Sequence, residues 1–382
     1  MRNFYFGLDL GHYECKLTIL EELPDNKLIA YNNSLRHSFL SKGEILDLET
    51  LAEIIERLLE EVASSFNLNK IEALNVCFST PFFQSSIQKG YVIFDKNITD
   101  DDIAKAIRIA KTSTLLVNQV NLIEEPIKFL IDGTQEVRDP LGLSGRRLDV
   151  EVFFINIHKS LIDKLNLLFN GLKLKVANFL PTLYPASKVC LSKKDKEIGI
   201  ALMDVGAQTT IIGVFAEGKL VDFRAFDIGG DYLTQEIALH FRLEPEEAEN
   251  LKREALIEID KKQKKKSKLS LLKFIEKKIR EGFNERKVVD YLKEIKKKYK
   301  LPGGLVIIGG GAKIMNFDNF LKNLFNMQIR YPKDELNIFN DQEELIKYAN
   351  SAGSALMLKY RDERETLWGK IKNLFIKPFI GY

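Results

Sequence analysis

The sequence predicts an α/β protein built from two related units, and three observations carry that expectation. A strand–turn–strand pattern occurs twice: "FYFGLDLG" followed by "CKLTIL", and later "IGIALMDVGAQTTIIGVF", where Asp204-Val205-Gly206 repeats Asp9-Leu10-Gly11. Between the copies, "LETLAEIIERLLEEVASSF" and "SLIDKLNLLFNGL" space their apolar residues as helices do. Downstream, the apolar strand in "GGLVIIGGGA" runs into a glycine-rich loop, with "IMNFDNFLKNLF" as the following helix. A strand-Asp-x-Gly-strand unit present once in each half suggests two domains facing one another.

Composition bounds the class. At 382 residues, 45% hydrophobic and 29% charged, the chain is long enough for two cores and is not a disordered polymer. A formal charge of +3 is too balanced to imply nucleic acid as a partner, so any basic surface must be local. Cys15, Cys77 and Cys190 stand apart in apolar stretches without metal-ligand spacing and read as reduced core residues. No stretch reaches the length of a signal peptide's apolar run or a membrane span, and the expected location is the cytoplasm.

The two aspartates and the glycines point to phosphate chemistry. A glycine after a strand lets backbone N–H groups face phosphate oxygens, while the preceding carboxylate organises water around Mg²⁺. One Asp-x-Gly hairpin is equally the chemistry of an ordinary tight turn. Two copies, one in each half, can clamp a triphosphate and its metal from both sides. Gly309, Gly310 and Gly311 would then allow close backbone approach to a nucleoside.

The ordered set "GLDLGHYECK", "LMDVGAQTT", "DIGGDYLTQEIA" and "VIIGGGA" resembles the actin, Hsp70 and sugar-kinase superfamily. More narrowly, "GYVIFDKNITDDDIAKAIRIAK", "IDGTQEVRDPLGLSGRRLDVEV", "EEAENLK" and the C-terminal tail resemble the FtsA family of bacterial actin homologues in cell division. "DPLGLSGRRLDV" carries most of that specificity, because the other branches lack it.

The resemblance implies an actin-like two-domain nucleotide-binding fold of duplicated ribonuclease-H-like domains. It divides the chain into 1–79 plus 155–191, an inserted α+β subdomain at 80–154, a second unit at 192–245 plus 302–360, a shortened basic helical subdomain at 246–301, and a charged spacer with an amphipathic helix at 361–382. It implies ATP and Mg²⁺ as ligands. Asp9, Gly11, His12, Tyr13 and Lys16 would form the first phosphate hairpin, and Asp204, Gly206, Gln208, Thr209 and Thr210 the second. Asp9 and Asp204 would hold the metal through water. Gly229 and Gly230 would approach the nucleotide, Glu249 and Lys252 would flank ribose and adenine, and Gly309 to Gly311 would pass beneath the adenosine. The alternative for Glu249 and Lys252 is a solvated helical face.

Departures from the family pattern concern affinity and catalysis. His12 and Tyr13 stand where small hydroxyl residues are usual, and Gln208 and Ile211 replace usual residues of the second hairpin. The water-orienting Glu or Gln of the hydrolytic relatives aligns near Tyr184, a poor base at neutral pH, and the acidic pair Glu124-Glu125 falls too early in the chain. No catalytic residue is expected, hydrolysis is expected to be slow or undetectable, and the nucleotide acts as a structural ligand.

The remaining segments concern partners. "KKQKKKSK" from Lys261 reads as a solvated loop, a partner surface or an anion-facing patch, and the resemblance implies that this subdomain receives the C-terminal peptide of the tubulin-like FtsZ. The resemblance also implies that the inserted subdomain contacts other protomers in a filament and later division proteins. In the tail, Leu367, Ile371, Leu374, Phe375 and Pro378 form one helical stripe with Trp368 beside it, Phe379 beyond it, and Lys370 and Lys377 directed away. Such a face either docks on the protein's own core or lies in a membrane interface; the resemblance favours the cytoplasmic face of the inner membrane, an anionic phospholipid surface. The competing functions are a PilM-like pilus-assembly protein, which shares the Asp-to-Lys spacing of the first hairpin, and a kinase of the same superfamily.

Overall fold

A computed structural model describes residues 3–66, 71–113, 118–254, 265–313 and 317–372. Two five-stranded sheets repeat one topology. In the first, the central strand Asn3–Leu10 pairs antiparallel with Glu14–Glu22, which pairs with Leu28–Arg36; on its other side lie the parallel strands Leu74–Phe78 and Val176–Pro181. In the second, Ile200–Val205 pairs antiparallel with Thr210–Ala216, followed by Lys219–Phe226, and on its other side with the parallel strands Leu305–Ile308 and Ile329–Arg330. The duplication read from Asp-x-Gly is therefore a duplication of the sheet.

Period-2 alternation assigns the faces of the second sheet. Leu202, Ile211, Phe215, Phe223, Val306 and Ile308 face a core shared with the first unit. Ala201, Met203, Val205, Ile212, Val214, Leu305 and Ile307 face the other way, into a core closed by helices that include Leu271–Phe283 and Val288–Ile295. Both faces are buried, which is why these strands are near-continuous apolar runs rather than alternating ones.

Between Phe78 and Val176 the chain leaves the first sheet to build a separate layer. The strands Gln84–Ile93, Arg147–His158, Gln119–Ile131 and Gln135–Val137 form an antiparallel sheet, and the helix Asp100–Thr112 packs on one face with Ile103, Ala106, Ile107 and Ala110. A capping box fixes the helix start: Thr99 and Asp102 each bond the other's backbone N–H. The basic region consists of the helices Pro245–Glu254, Lys265–Glu285 and Val288–Lys298, with no strand between Phe226 and Leu305 among the described residues.

The helix Gln342–Lys372 departs from the sequence-based division, which placed residues up to 360 with the second unit. It lies against the first sheet. Thr18 Oγ1 and Ser351 Oγ are 2.7 Å apart, Asn75 Nδ2 donates to the Ser354 carbonyl at 3.0 Å, and Lys359 Nζ meets Glu22 at 2.7 Å. Small residues permit this approach: a Cβ on Gly7 of the central strand would stand 2.0 Å from the Ser351 carbonyl oxygen, and one on Gly353 2.0 Å from that of Pro185, just beyond the sheet. The charged stretch at 361, expected as a spacer, continues the same helix to Lys372. Leu367, Trp368, Lys370 and Ile371 thus have helical backbone, whereas Leu374, Phe375, Lys377, Pro378 and Phe379 lie outside the described residues. Among the described residues no helix is long and apolar enough to cross a membrane.

Candidate nucleotide-binding site

A cavity of about 750 Å³ opens between the two units, at the carboxyl ends of their central strands. Open α/β sheets place ligands at such strand ends. Of the residues assigned to the site from the sequence, Asp9, Gly11, His12, Tyr13, Lys16, Asp204, Gly206, Thr209, Gly230, Glu249, Lys252, Gly309, Gly310 and Gly311 line it.

The two hairpins are equal in length but not in charge. Asp9 pairs in register with Lys16, and Asp204 with Ile211. Lys16 Nζ meets Asp9 Oδ2 at 3.2 Å, while Asp204 Oδ2 accepts from Asn350 Nδ2 at 2.7 Å. Burial raises the Asp9 carboxyl above its ordinary value against the opposing pull of Lys16, and burial raises Asp204 to about 6. Burial disfavours charge on Lys16, but Asp9 and neighbouring carboxylates outweigh it and hold the ammonium charged.

Asp9 Oδ1 is buried without a hydrogen-bond partner. An orphaned carboxylate oxygen beside a second buried aspartate suits a hydrated cation accompanied by an anionic ligand. Among the described residues no group of three or more His, Cys, Asp or Glu converges to form an all-protein metal cage.

His12 does not reach across as a phosphate donor. Its Nε2 accepts from the Gly43 N–H at 2.8 Å and its Nδ1 lies 3.3 Å from Ser79 Oγ, the pattern of a neutral ring. Burial lowers its pKa to about 4. Gly309 is obligatory: its φ is +88°, and a Cβ there would lie 2.4 Å from Asp204 Oδ1. Gly310, by contrast, has open space around it.

Three assigned residues support the cavity without lining it. Gln208 Oε1 accepts from the Lys42 N–H at 2.7 Å, Thr210 Oγ1 donates to the Ile228 carbonyl at 2.8 Å, and Gly229 lies against the Ala207 carbonyl. Glu249 and Lys252 are committed to each other at 2.6 Å. Lys252 Nζ also reaches the Gly230 carbonyl at 3.1 Å and Thr234 Oγ1 at 2.8 Å, so two of its three bonds tie the helix Pro245–Glu254 to the start of the helix Gly230–Phe241. The solvated-face alternative is excluded for Lys252, which is buried.

Tyr184 is a correction. It is buried outside the cavity with Lys188 over its ring, and Thr182 of the same stretch lines the cavity, its Oγ1 buried without a partner. Glu125, of the acidic pair set aside, is also buried away from the cavity. Sequence reasoning missed Arg36, Asp231, Arg253, Lys313, Lys347 and Asn350, which line the cavity. The only signal for Asn350 was a lone amide in the small-residue run "YANSAGSA".

The duplicated sheets around this cleft define an actin-like protein, with an extra antiparallel layer inserted in its first unit. A family model described as "Cell division protein FtsA" matches residues 201–353, and one described as "SHS2 domain inserted in FTSA" matches 83–156. Together they take in more than half of the chain. The Cell division protein FtsA of Borreliella burgdorferi is 25% identical over 401 residues, covering 98% of this chain and 95% of that protein. That of Bacillus subtilis is 26% identical over 253 residues, which span 65% of this chain and 57% of that relative. Among solved structures, a chain of the PilM-PilN type IV pilus biogenesis complex superposes with a TM-score of 0.67 at 15% identity, covering 93% of this chain and 98% of its own, a likeness of fold. The chain belongs to the FtsA family of cell division proteins.

Proposed function

We propose that the chain binds ATP with Mg²⁺ in the cleft, polymerises on the cytoplasmic face of the membrane and tethers FtsZ filaments there. The observation that carries the nucleotide part is the cavity itself, where two Asp-x-Gly hairpins and Gly309 to Gly311 converge. Asp9 and Asp204 would hold the metal through water, and the cation would supply neutralisation of polyphosphate charge. Lys16 supplies a fixed positive charge between the lobes. Because Thr182, neither a carboxylate nor an amide, faces the cavity from the stretch expected to carry a water-orienting group, the ligand acts chiefly by holding the lobes together, with slow turnover.

The helices Pro245–Glu254, Lys265–Glu285 and Val288–Lys298 would receive the FtsZ peptide, the inserted sheet would contact other protomers and later division proteins, and the tail would meet anionic phospholipid. Flotation with anionic vesicles tests this, using the full chain and a form ending at Arg364, with and without ATP and FtsZ. The full chain is expected to float and carry FtsZ, and the shortened form to stay behind. A full chain that does not float removes the membrane role, and floating without FtsZ removes the tether. Asp204→Ala is expected to abolish Mg²⁺-ATP binding in equilibrium titration; unchanged affinity would show the second hairpin to be only a turn.

A further inference from the structure

Tyr13 occupies a place in the cleft that neither the fold nor the phosphate hairpin requires. Its ring lies between two guanidinium groups, Arg253 with Cζ 5.0 Å and Arg36 with Cζ 5.5 Å from the centroid. Tyr13 and Arg36 belong to the first lobe, on the hairpin and at the end of the strand Leu28–Arg36; the His37 N–H donates to the Tyr13 carbonyl at 3.0 Å and ties the two together. Arg253 belongs to the second lobe, on the helix Pro245–Glu254, where Glu249 Oε1 fixes its Nε at 2.9 Å. All three line the cavity. The stack is therefore a side-chain bridge across the mouth of the cleft.

Its chemistry gives it two states. The ring quadrupole attracts a guanidinium on its face more weakly than a charge-assisted bond to phosphate oxygens does. Arg36 has no carboxylate partner among the described residues, so its donors remain available to an anion. We infer that Tyr13 is a latch between the lobes which, by stacking Arg253 against Arg36, sets the rate at which a nucleoside polyphosphate enters and leaves the cleft. The inference rests on the nucleotide reading of the cavity. It also explains why a large ring is accommodated where the family pattern has a small hydroxyl residue.

The test is release of a fluorescent N-methylanthraniloyl ADP, loaded with Mg²⁺ and chased with excess ADP in a stopped-flow instrument. Tyr13→Ala and Arg253→Met should each speed release by about 2- to 30-fold, the range spanned by one cation–π contact from exposed to desolvated. The double variant should be no faster than the faster single one, and Tyr13→Phe should stay within about two-fold of the parent, since its ring still stacks. Parent-like release from Tyr13→Ala, equal acceleration in Tyr13→Phe, or multiplied effects in the double variant would each overturn the latch. Should Tyr13→Ala fail to fold, Arg253→Met and Tyr13→Phe carry the same comparison. A parent protein that binds no labelled nucleotide overturns the nucleotide reading instead. The latch is then decided by hydrogen exchange of the ligand-free full chain: loss of the stack should speed exchange across 245–254, and unchanged protection in Arg253→Met overturns it.

Discussion

Asn350 Nδ2 donates to Asp204 Oδ2 at 2.7 Å, so a residue of the helix packed on the first sheet holds the buried carboxylate of the second. This bond joins the lobes at the back of the cleft and fixes the side chain that the ligand must meet. Burial holds Asp204 at about 6 rather than the ordinary carboxylate value, so keeping it ionised at neutral pH costs stability.

Asp204→Asn should therefore separate stability from binding. Without the buried charge, the ligand-free protein should gain up to about 3 kcal/mol at pH 7, while Mg²⁺-nucleotide affinity falls. Asp204→Ala should lack that gain, because it leaves the Asn350 amide buried and unpaired at a cost of about 1–3 kcal/mol. Denaturant unfolding of the ligand-free proteins and titration with Mg²⁺-ATP read the two effects; a destabilised Asp204→Asn would contradict the first.

Two groups of the cleft oppose each other as pH falls. Asp204, with its folded pKa raised, contributes stability that is present at low pH and lost as pH rises through about 6. His12, with its folded pKa lowered to about 4, contributes stability that is present above its ordinary value and lost as pH falls through 4. His12→Gln should remove the histidine response, so its stability relative to the parent should rise by up to about 3 kcal/mol between pH 7 and pH 4. Parallel pH profiles for parent and variant would show that His12 is not held neutral.

Gly353 reports on the seat of the long helix. An alanine there would place Cβ 2.0 Å from the Pro185 carbonyl oxygen, a backbone atom that cannot turn aside. Gly353→Ala should lower stability by about 1–3 kcal/mol through overpacking, seen as a lower denaturant midpoint at unchanged slope. An unshifted midpoint would mean that the helix and the segment at Pro185 are further apart than described.

Lys252 ties the helix Pro245–Glu254 to the start of the helix Gly230–Phe241 through Gly230 and Thr234, and pairs with Glu249 of its own helix. Lys252→Met should cost about 1–3 kcal/mol, because it removes the buried ammonium's bonds to Gly230 and Thr234 and leaves the Glu249 carboxylate only Thr234 and Arg253 as partners. Hydrogen exchange should localise the loss to 245–254 and to the start of the helix Gly230–Phe241. A uniform loss of protection over the whole chain would show that the lysine serves the fold at large.

Much of this architecture was legible because its signals are local. A run such as "IALMDV" buried on both faces, an aspartate at its end and a glycine turn are contained in a few residues, and their recurrence revealed the duplicated sheet. The cavity's other lining came from tertiary folding: Arg36 and Asn350 reach it from a strand end and a helix with no motif of their own, and Arg253 follows directly after "EEAENLK". Tyr184 was placed through the resemblance alone, and the chain after the strand Val176–Pro181 instead turns Tyr184 into the core. Thr182 takes that place, its N–H bonded to the Phe78 carbonyl at 2.9 Å. The return of the last helix to the first sheet depended on small residues meeting carbonyls, a fit that periodicity does not encode.

The unbroken helix from Gln342 to Lys372 also sets the mechanical frame of the molecule. At about 1.5 Å of rise per residue, its end stands about 33 Å along the axis from Asn350. Because Ser351, Ser354 and Lys359 clamp it to the first sheet, a grip on its far end is a grip on the first lobe. For an observer stationed at Lys372, the first lobe stands still, and any opening of the cleft is a swing of the second lobe and its three basic-region helices.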